Sequence, residues 1–300
     1  MDYHLQVFVT VVEKENFSRT AEKLHMTQPA VSQYIRTLEE NIGTKLLERT
    51  NKYVRLNRAG EIVYHHAKEI LGLYTNMQRL VDDLEDKANG RLMIGASYTF
   101  GEYVLPRIIA NLQTRYPDIE SVLSIGNTAE IAQLVATHQL DIGIVEGHFE
   151  DVQLHTESFA EDTMVIIAAS NHTLHEKPFV DIQDLANETW IVRENGSGTR
   201  EGTEKMFQTL GFTPLKQMTI GSTQAIKESV EAGMGITMLS QWAIQKELKS
   251  GDLHIIPVKG MPFLREFSII TKSSFQTRAL EVFIQLLREE KSLTSFFNDS

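Results

Sequence analysis

The sequence predicts a chain of two unlike parts: an N-terminal helical head carrying a short β-wing, then an α/β region reached through a long helix. Three observations carry this. Residues 18–38, SRTAEKLHMTQPAVSQYIRTL, hold two short helical patterns around a tight turn. From about Arg58 to Ala88 the chain has no proline and keeps apolar residues at helical spacing. From Arg91 onward, short apolar strands alternate with helical stretches, which argues for parallel sheets with crossover helices.

In the head, Leu5, Phe8, Val9 and Val12 give a first amphipathic helix. Ser18 is an expected N-cap for the second, with Ala21 and Leu24 facing inward. His25 and Met26 make the turn, and Thr27 caps the third helix, with Pro29 in its first turn. Val31, Ile35 and Leu38 point inward and leave Gln28, Ser32, Gln33 and Arg36 outside. Amide, hydroxyl and guanidinium groups on one exposed helix face suit base edges and phosphates in a major groove. An ordinary hairpin with a polar face has the same local pattern, but the flanking segments favour a DNA-binding head. After it, Arg49, Lys52, Arg55 and Arg58 surround the β-prone Tyr53-Val54, as a basic wing on the phosphate backbone would require.

The charge distribution agrees. The whole chain carries −11, yet residues 1–60 hold nine Lys/Arg against seven Asp/Glu. The positive charge is local, and the acidic remainder opposes binding in the wrong orientation.

Beyond the wing, Val63, Ile70, Leu73, Met77, Leu80 and Leu84 form a heptad-like seam, and Asn89-Gly90 is the expected C-cap. A seam that long favours a dimerising helix over one packed only on its own domain. The expected strands then are RLMIGAS, ESVLSIG, DIGIVEG, TMVIIAAS, TWIVREN, QMTIGS, GITML and FSIITK. Helices are expected over 100–114, 128–138, 199–210, 224–232 and 276–288. Four strand-to-helix junctions carry hydroxyl or amide residues: Ser97-Tyr98-Thr99, Asn127-Thr128, Ser197-Gly198-Thr199-Arg200 and Ser222-Thr223-Gln224. Each is an ordinary N-cap taken alone; their recurrence points to anion binding. Arg200 can add a bidentate contact to a carboxylate, sulfate or phosphate, or pair with Glu194, Glu201 or Glu204 on the surface. Glu146, at the end of DIGIVEG, is out of place beside an anion site.

The chain has no cysteine, which excludes disulfides, thiol nucleophiles and cysteine-based redox sensing. The histidines are scattered, so no metal site or cofactor is expected. No apolar run is long enough to span a bilayer and no leader is evident, so a cytoplasmic protein without membrane contact is expected. No G-x-S-x-G, P-loop or G-x-G-x-x-G is present, and no catalytic residues are assigned. An enzyme domain behind a DNA-binding head is the alternative; a transport binding protein would have no use for such a head.

The run FVTVVEKENFSRTAEKLHMTQPAVSQYIRTLEENIGTKLLERT, with A-x-x-L, T-Q-P-A-V-S, I-x-x-L-E and G-x-x-L-x-x-R in that order, resembles the LysR-type transcriptional regulators. The resemblance implies a winged helix-turn-helix over 1–60, a dimerising linker helix over 61–90 and a two-lobed, periplasmic-binding-protein-like effector domain over 91–300. Lobe 1 would comprise 91–162 and 267–300, and lobe 2 163–266, with crossovers near Glu161–Thr163 and Arg265–Phe267. The resemblance places Gln28, Pro29, Ser32 and Gln33 at the DNA, with Lys52 from the wing; Thr27, Arg36, Arg49 and Arg55 complete the expected set. Many members have Arg where this chain has Gln33, and Leu-Thr-x-Ala-Gly where it has Leu56-Asn57-Arg58-Ala59-Gly60. Similar S-G-T-R segments occur in the branch that includes regulators of sulfur assimilation and carbon fixation, which implies a small anionic effector. It would be held by Ser97, Thr99, Thr128, Ser197, Thr199, Arg200, Ser222 and Thr223. The expected partners are double-stranded operator DNA, that small-molecule anion, RNA polymerase, and further copies of the chain as a homodimer or homotetramer.

Overall fold

The computed structural model describes residues 3–49, 53–82, 88–147, 151–177, 180–272 and 276–289. Two compact units form, one made largely of residues up to Leu84 and the other largely of residues from Glu85 on.

In the first unit, α1 (Tyr3–Lys14), α2 (Phe17–Lys23) and α3 (Gln28–Ile42) enclose Val7, Phe8, Val11, Val31 and Ile35, all fully buried. The cap of α2 is Asn16, whose Oδ1 accepts the Arg19 N–H at 3.0 Å, rather than Ser18. Thr27 caps α3 as expected, accepting from Ala30, and Gly43 ends it in the left-handed conformation. Two antiparallel strands, β1 (Leu47–Arg49) and β2 (Val54–Leu56), form the wing, with Leu47 opposite Leu56 and Glu48 opposite Arg55.

Helix α4 (Arg58–Asp82) follows. Asn57 caps it: its Oδ1 accepts the Gly60 N–H at 2.8 Å. Val63, Tyr64, Ala67 and Leu71 pack into the head's core. Ile62, Ile70, Leu73, Met77 and Val81 stand exposed in one stripe. The stripe differs from the expected seam at its ends, because Val63 is spent on the core and Leu80 is half-buried; Leu84 lies outside the described residues. Of the expected C-cap Asn89-Gly90, Gly90 opens the first strand of the second unit, opposite Ile119; residues 83–87 before it lie outside the described residues.

The second unit begins with β3 (Gly90–Ser97), α5 (Tyr98–Tyr103), α6 (Leu105–Arg115), β4 (Ile119–Gly126), α7 (Thr128–Ala136) and β5 (Ile142–Glu146). The single helix expected over 100–114 is two, broken at Val104, because Pro106 has no N–H to give the Glu102 carbonyl. Strand β6 (His155–Ala169) is long, and is followed by α8 (Ile182–Asn187), β7 (Thr189–Val192), α9 (Gly198–Leu210), β8 (Lys216–Thr219) and α10 (Thr223–Glu231). Last come β9 (Thr237–Ser240), α11 (Gln241–Ser250), β10 (Leu253–Ile255), β11 (Phe263–Thr271) and α12 (Arg278–Glu289).

The sheet is mixed rather than parallel. In it β3 pairs in parallel with β4 and β5, but β11 runs antiparallel to β5 and β6, and β6 antiparallel to β9 and β10; β7 and β8 form a separate parallel pair. The reason is that β6 and β11 each traverse both lobes side by side. Along them Arg265 lies opposite Asp162, Glu266 opposite Glu161 and Phe267 opposite Ala160. On one side of this line α5, α6 and α12 cover the sheet through Phe100, Leu105, Ile108 and Phe283. On the other, Trp190, Met206 and Met238 form one core and Ile226, Val230 and Ile244 a second. The ends of β3, β4, β5 and β7 and the starts of α7, α9 and α10 therefore meet along the seam between lobes.

Candidate functional site

Two sites take shape, one in each unit. On α3, Thr27, Gln28, Pro29, Gln33 and Arg36 are exposed and Ser32 is half-buried. Several hold one another in place: Gln28 Nε2 donates to Ser32 Oγ at 3.1 Å, and Arg36 pairs with Glu40 at 2.8 Å. These are single solvent-facing contacts, weak enough for a DNA groove to replace. Behind them Glu39 is buried. Its Oε1 accepts the Leu46 N–H at 3.0 Å, and its Oε2 pairs with Lys45 at 2.9 Å and Arg49 at 3.4 Å. Burial pushes the Glu39 carboxyl up, but the Leu46 amide, Lys45 and Arg49 outweigh that and hold it below the ordinary range. Glu39 thus fastens the recognition helix to the wing. Arg49, expected at phosphate, is tied to Glu39 and lies over the Phe17 ring. Arg55 is exposed on β2, over the Tyr53 ring. Lys52 lies outside the described residues.

The second site is the interlobe cleft. Its inner part is built around Glu146 at the end of β5. Glu146 Oε1 accepts the Thr99 N–H at 2.8 Å; Oε2 accepts the Thr199 hydroxyl at 3.2 Å and pairs with Arg265 at 2.8 Å. Arg265 also pairs with Asp162 at 2.7 Å and donates to the Thr99 and Thr199 hydroxyls. Asp162 accepts from Ser240 at 2.6 Å. Thr128 donates to the Glu146 carbonyl at 3.3 Å. A Cβ at Gly198 would overlap that carbonyl, so only glycine lets α9 start this close to β5. Burial pushes Glu146 up, but Arg265 and the surrounding donors overcome it and keep it charged. Asp162 is pushed up by burial and by Glu146, against the pull of Arg265. The Ser97 hydroxyl is close enough to support the Glu146 charge but lacks a well-aligned hydrogen bond.

A second buried cation lies nearby. Arg193, at the end of β7, clasps Glu194 through Nε and a terminal nitrogen, both at 2.8 Å, donates to Thr223 at 3.0 Å and stacks on Tyr98 from the other lobe. Glu194 accepts from Asn127, again across the lobes, at 3.4 Å. Ser222 serves as the cap of α10.

The outer part of the cleft stays open, with about 290 Å³ lined by Thr128, Asn195, Gly196, Ser197, Arg200 and Glu204 among others. Arg200 lines it while bonded to Glu204 at 2.6 Å and to the Arg193 carbonyl at 3.1 Å. The structure therefore gathers Thr99, Thr128 and Thr199 around Glu146, and Thr128, Ser197 and Arg200 along the outer cleft. Thr223 reaches the cleft only as an acceptor for Arg193.

Residues 3–61 match the family model described as a bacterial regulatory helix-turn-helix protein of the lysR family, and residues 85–292 match the LysR substrate binding domain. The chain belongs to the LysR-type transcriptional regulators. It is 38% identical over 285 residues, 95% of each chain, to the HTH-type transcriptional regulator CysL of Bacillus subtilis. The regulatory domain of Synechocystis CcmR in complex with 2-PG superposes with a TM-score of 0.61 at 28% identity, covering 67% of this chain and 96% of that one. Full-length CbnR complexed with target DNA shares the fold, with a TM-score of 0.71 at 19% identity over 96% of this chain and 99% of that one. This LysR-type regulator is thus a DNA-binding transcription regulator with an effector-binding domain, and not a member of an enzyme family. No described helix is long and apolar enough to cross a membrane.

Several groups of this regulator's cleft have no binding role in the sequence reading: Tyr98, Asp162, Arg193, Glu194 and Arg265. Two left a trace. Asp162 is the last charge before an apolar run, and Arg193 directly follows one, so each sits where a strand enters buried surroundings.

Proposed function

We propose that this regulator binds an operator through the exposed face of α3 and the wing, as a dimer joined through the apolar stripe of α4, and that a small anionic metabolite in the interlobe cleft controls it. Thr27, Gln28, Pro29, Ser32, Gln33 and Arg36 face the groove, with Arg55 and Lys52 from the wing on phosphates. Two such heads match two half-sites.

The observation that carries the effector reading is the outer cleft. There Thr128, Ser197 and the Arg200 guanidinium line, from both lobes, a space sized for a small metabolite. The 2-PG complex of the CcmR regulatory domain supports a small ligand for this domain type. Arg200 can leave Glu204, a partly exposed partner, for a ligand anion at modest cost.

Thermal-shift screening against anionic metabolites identifies the ligand, because binding to the native state alone raises the melting temperature. Calorimetric titration of that ligand into Thr128→Val and Arg200→Ala is then expected to show much weaker binding, with operator retardation retained. Unchanged affinity in both variants would remove the outer cleft as the effector site.

A further inference from the structure

The inner cleft has the form of a ligand site that already has an occupant. Three donors from three segments converge on one carboxylate: the Thr99 amide in lobe 1, the Thr199 hydroxyl in lobe 2, and the Arg265 guanidinium on the strand between them, at 2.8, 3.2 and 2.8 Å. The carboxylate comes from the end of β5, where open α/β sheets receive ligands. Neutralising Arg265 does not need it. Asp162 already pairs with that guanidinium at 2.7 Å and is itself held by Ser240. A second acid is buried beside the first, beyond the one needed to neutralise the guanidinium, and burying each further charge is costly.

We propose that Glu146 is a resident anion: its side chain fills an inner subsite built to hold a free carboxylate or similar small oxyanion, and so confines the effector to the outer subsite around Thr128, Ser197 and Arg200. Glu146 is then a specificity-determining residue. It denies the innermost donors to any ligand whose anionic group is small enough to reach them, and the effector's anion is read by Arg200 instead. This rests on the reading that the effector enters this cleft.

Glu146→Ala deletes the equivalent of one acetate, so acetate is the probe. Titrated into the full chain at constant ionic strength, acetate is expected to bind Glu146→Ala saturably and at least about tenfold more tightly than wild type, raising its melting temperature. Glu146→Gln keeps the volume and fills the subsite, and is expected to respond as weakly as wild type. Equal acetate responses in all three proteins would overturn the proposal. Should Glu146→Ala not fold alone, its refolding yield is measured against acetate: an acetate-dependent recovery supports the proposal, and no recovery while Glu146→Gln folds would overturn it. The measurement uses no effector. A null result with acetate therefore leaves the wild-type effector titration standing, and a null effector titration leaves the acetate result standing.

Discussion

At the residue scale, Gln33 stands exposed on α3, where a longer, charged Arg is common among relatives by sequence resemblance. A glutamine amide can satisfy adenine's donor and acceptor together. Gln33→Ala is expected to relax preference at one position per half-site by about 1–3 kcal/mol, read as a flattened ranking of operator variants. An unchanged ranking would move the recognition face elsewhere. Glu39 makes a different demand. Its folded carboxyl titrates below the unfolded value of about 4.3, so the stability it adds is present above that pH and fades as pH falls through the folded value. Glu39→Gln is expected to unfold more easily than wild type at pH 7, and the gap is expected to narrow as pH falls below about 4.3. Far-UV circular dichroism is the suitable probe, because Trp190 and Trp242 both lie in the other unit. A gap that does not change with pH would show that packing rather than charge holds the wing. Sequence spacing made Gln28, Ser32 and Gln33 legible, because one helix face needs only local periodicity. It could not pair Glu146 with Arg265, 119 positions apart, because that contact depends on two strands meeting across the lobes.

At the element scale, α4 carries the account of assembly. Ile62, Ile70, Leu73, Met77 and Val81 form one exposed apolar stripe on a helix otherwise held to the head. Asp at both Leu73 and Met77 would place unpaired charge in that seam. Sedimentation is expected to show monomers, and operator affinity to collapse while the effector-binding unit still melts normally. An intact dimer would assign the contact to another surface. Asn57→Ala removes the first-turn cap of the same helix and is expected to cost about 1 kcal/mol of head stability. Apolar periodicity predicts this helix, but its exposed stripe is shifted from the expected seam because Val63 serves the head's core. Helices α8 and α11 and strand β10 are not among the expected elements, and the large sheet is mixed where strand–helix alternation predicts a parallel one. Strand direction is fixed by which lobe a strand enters from, and local pattern carries no such information.

At the scale of the whole molecule, the chain separates its charges: the first 60 residues carry a small net positive charge, and the remainder is acidic. An effector can influence the head only if it binds one arrangement of the lobes better than another. By linkage, the operator must then change the effector's affinity by the same factor that the effector changes the operator's. The most direct test is calorimetric titration of the stabilising anion into the full-length regulator, with and without saturating operator DNA. The account predicts two different dissociation constants in wild type, and loss of anion binding in Arg200→Ala under both conditions. Identical constants with and without operator would contradict control of the head by the cleft.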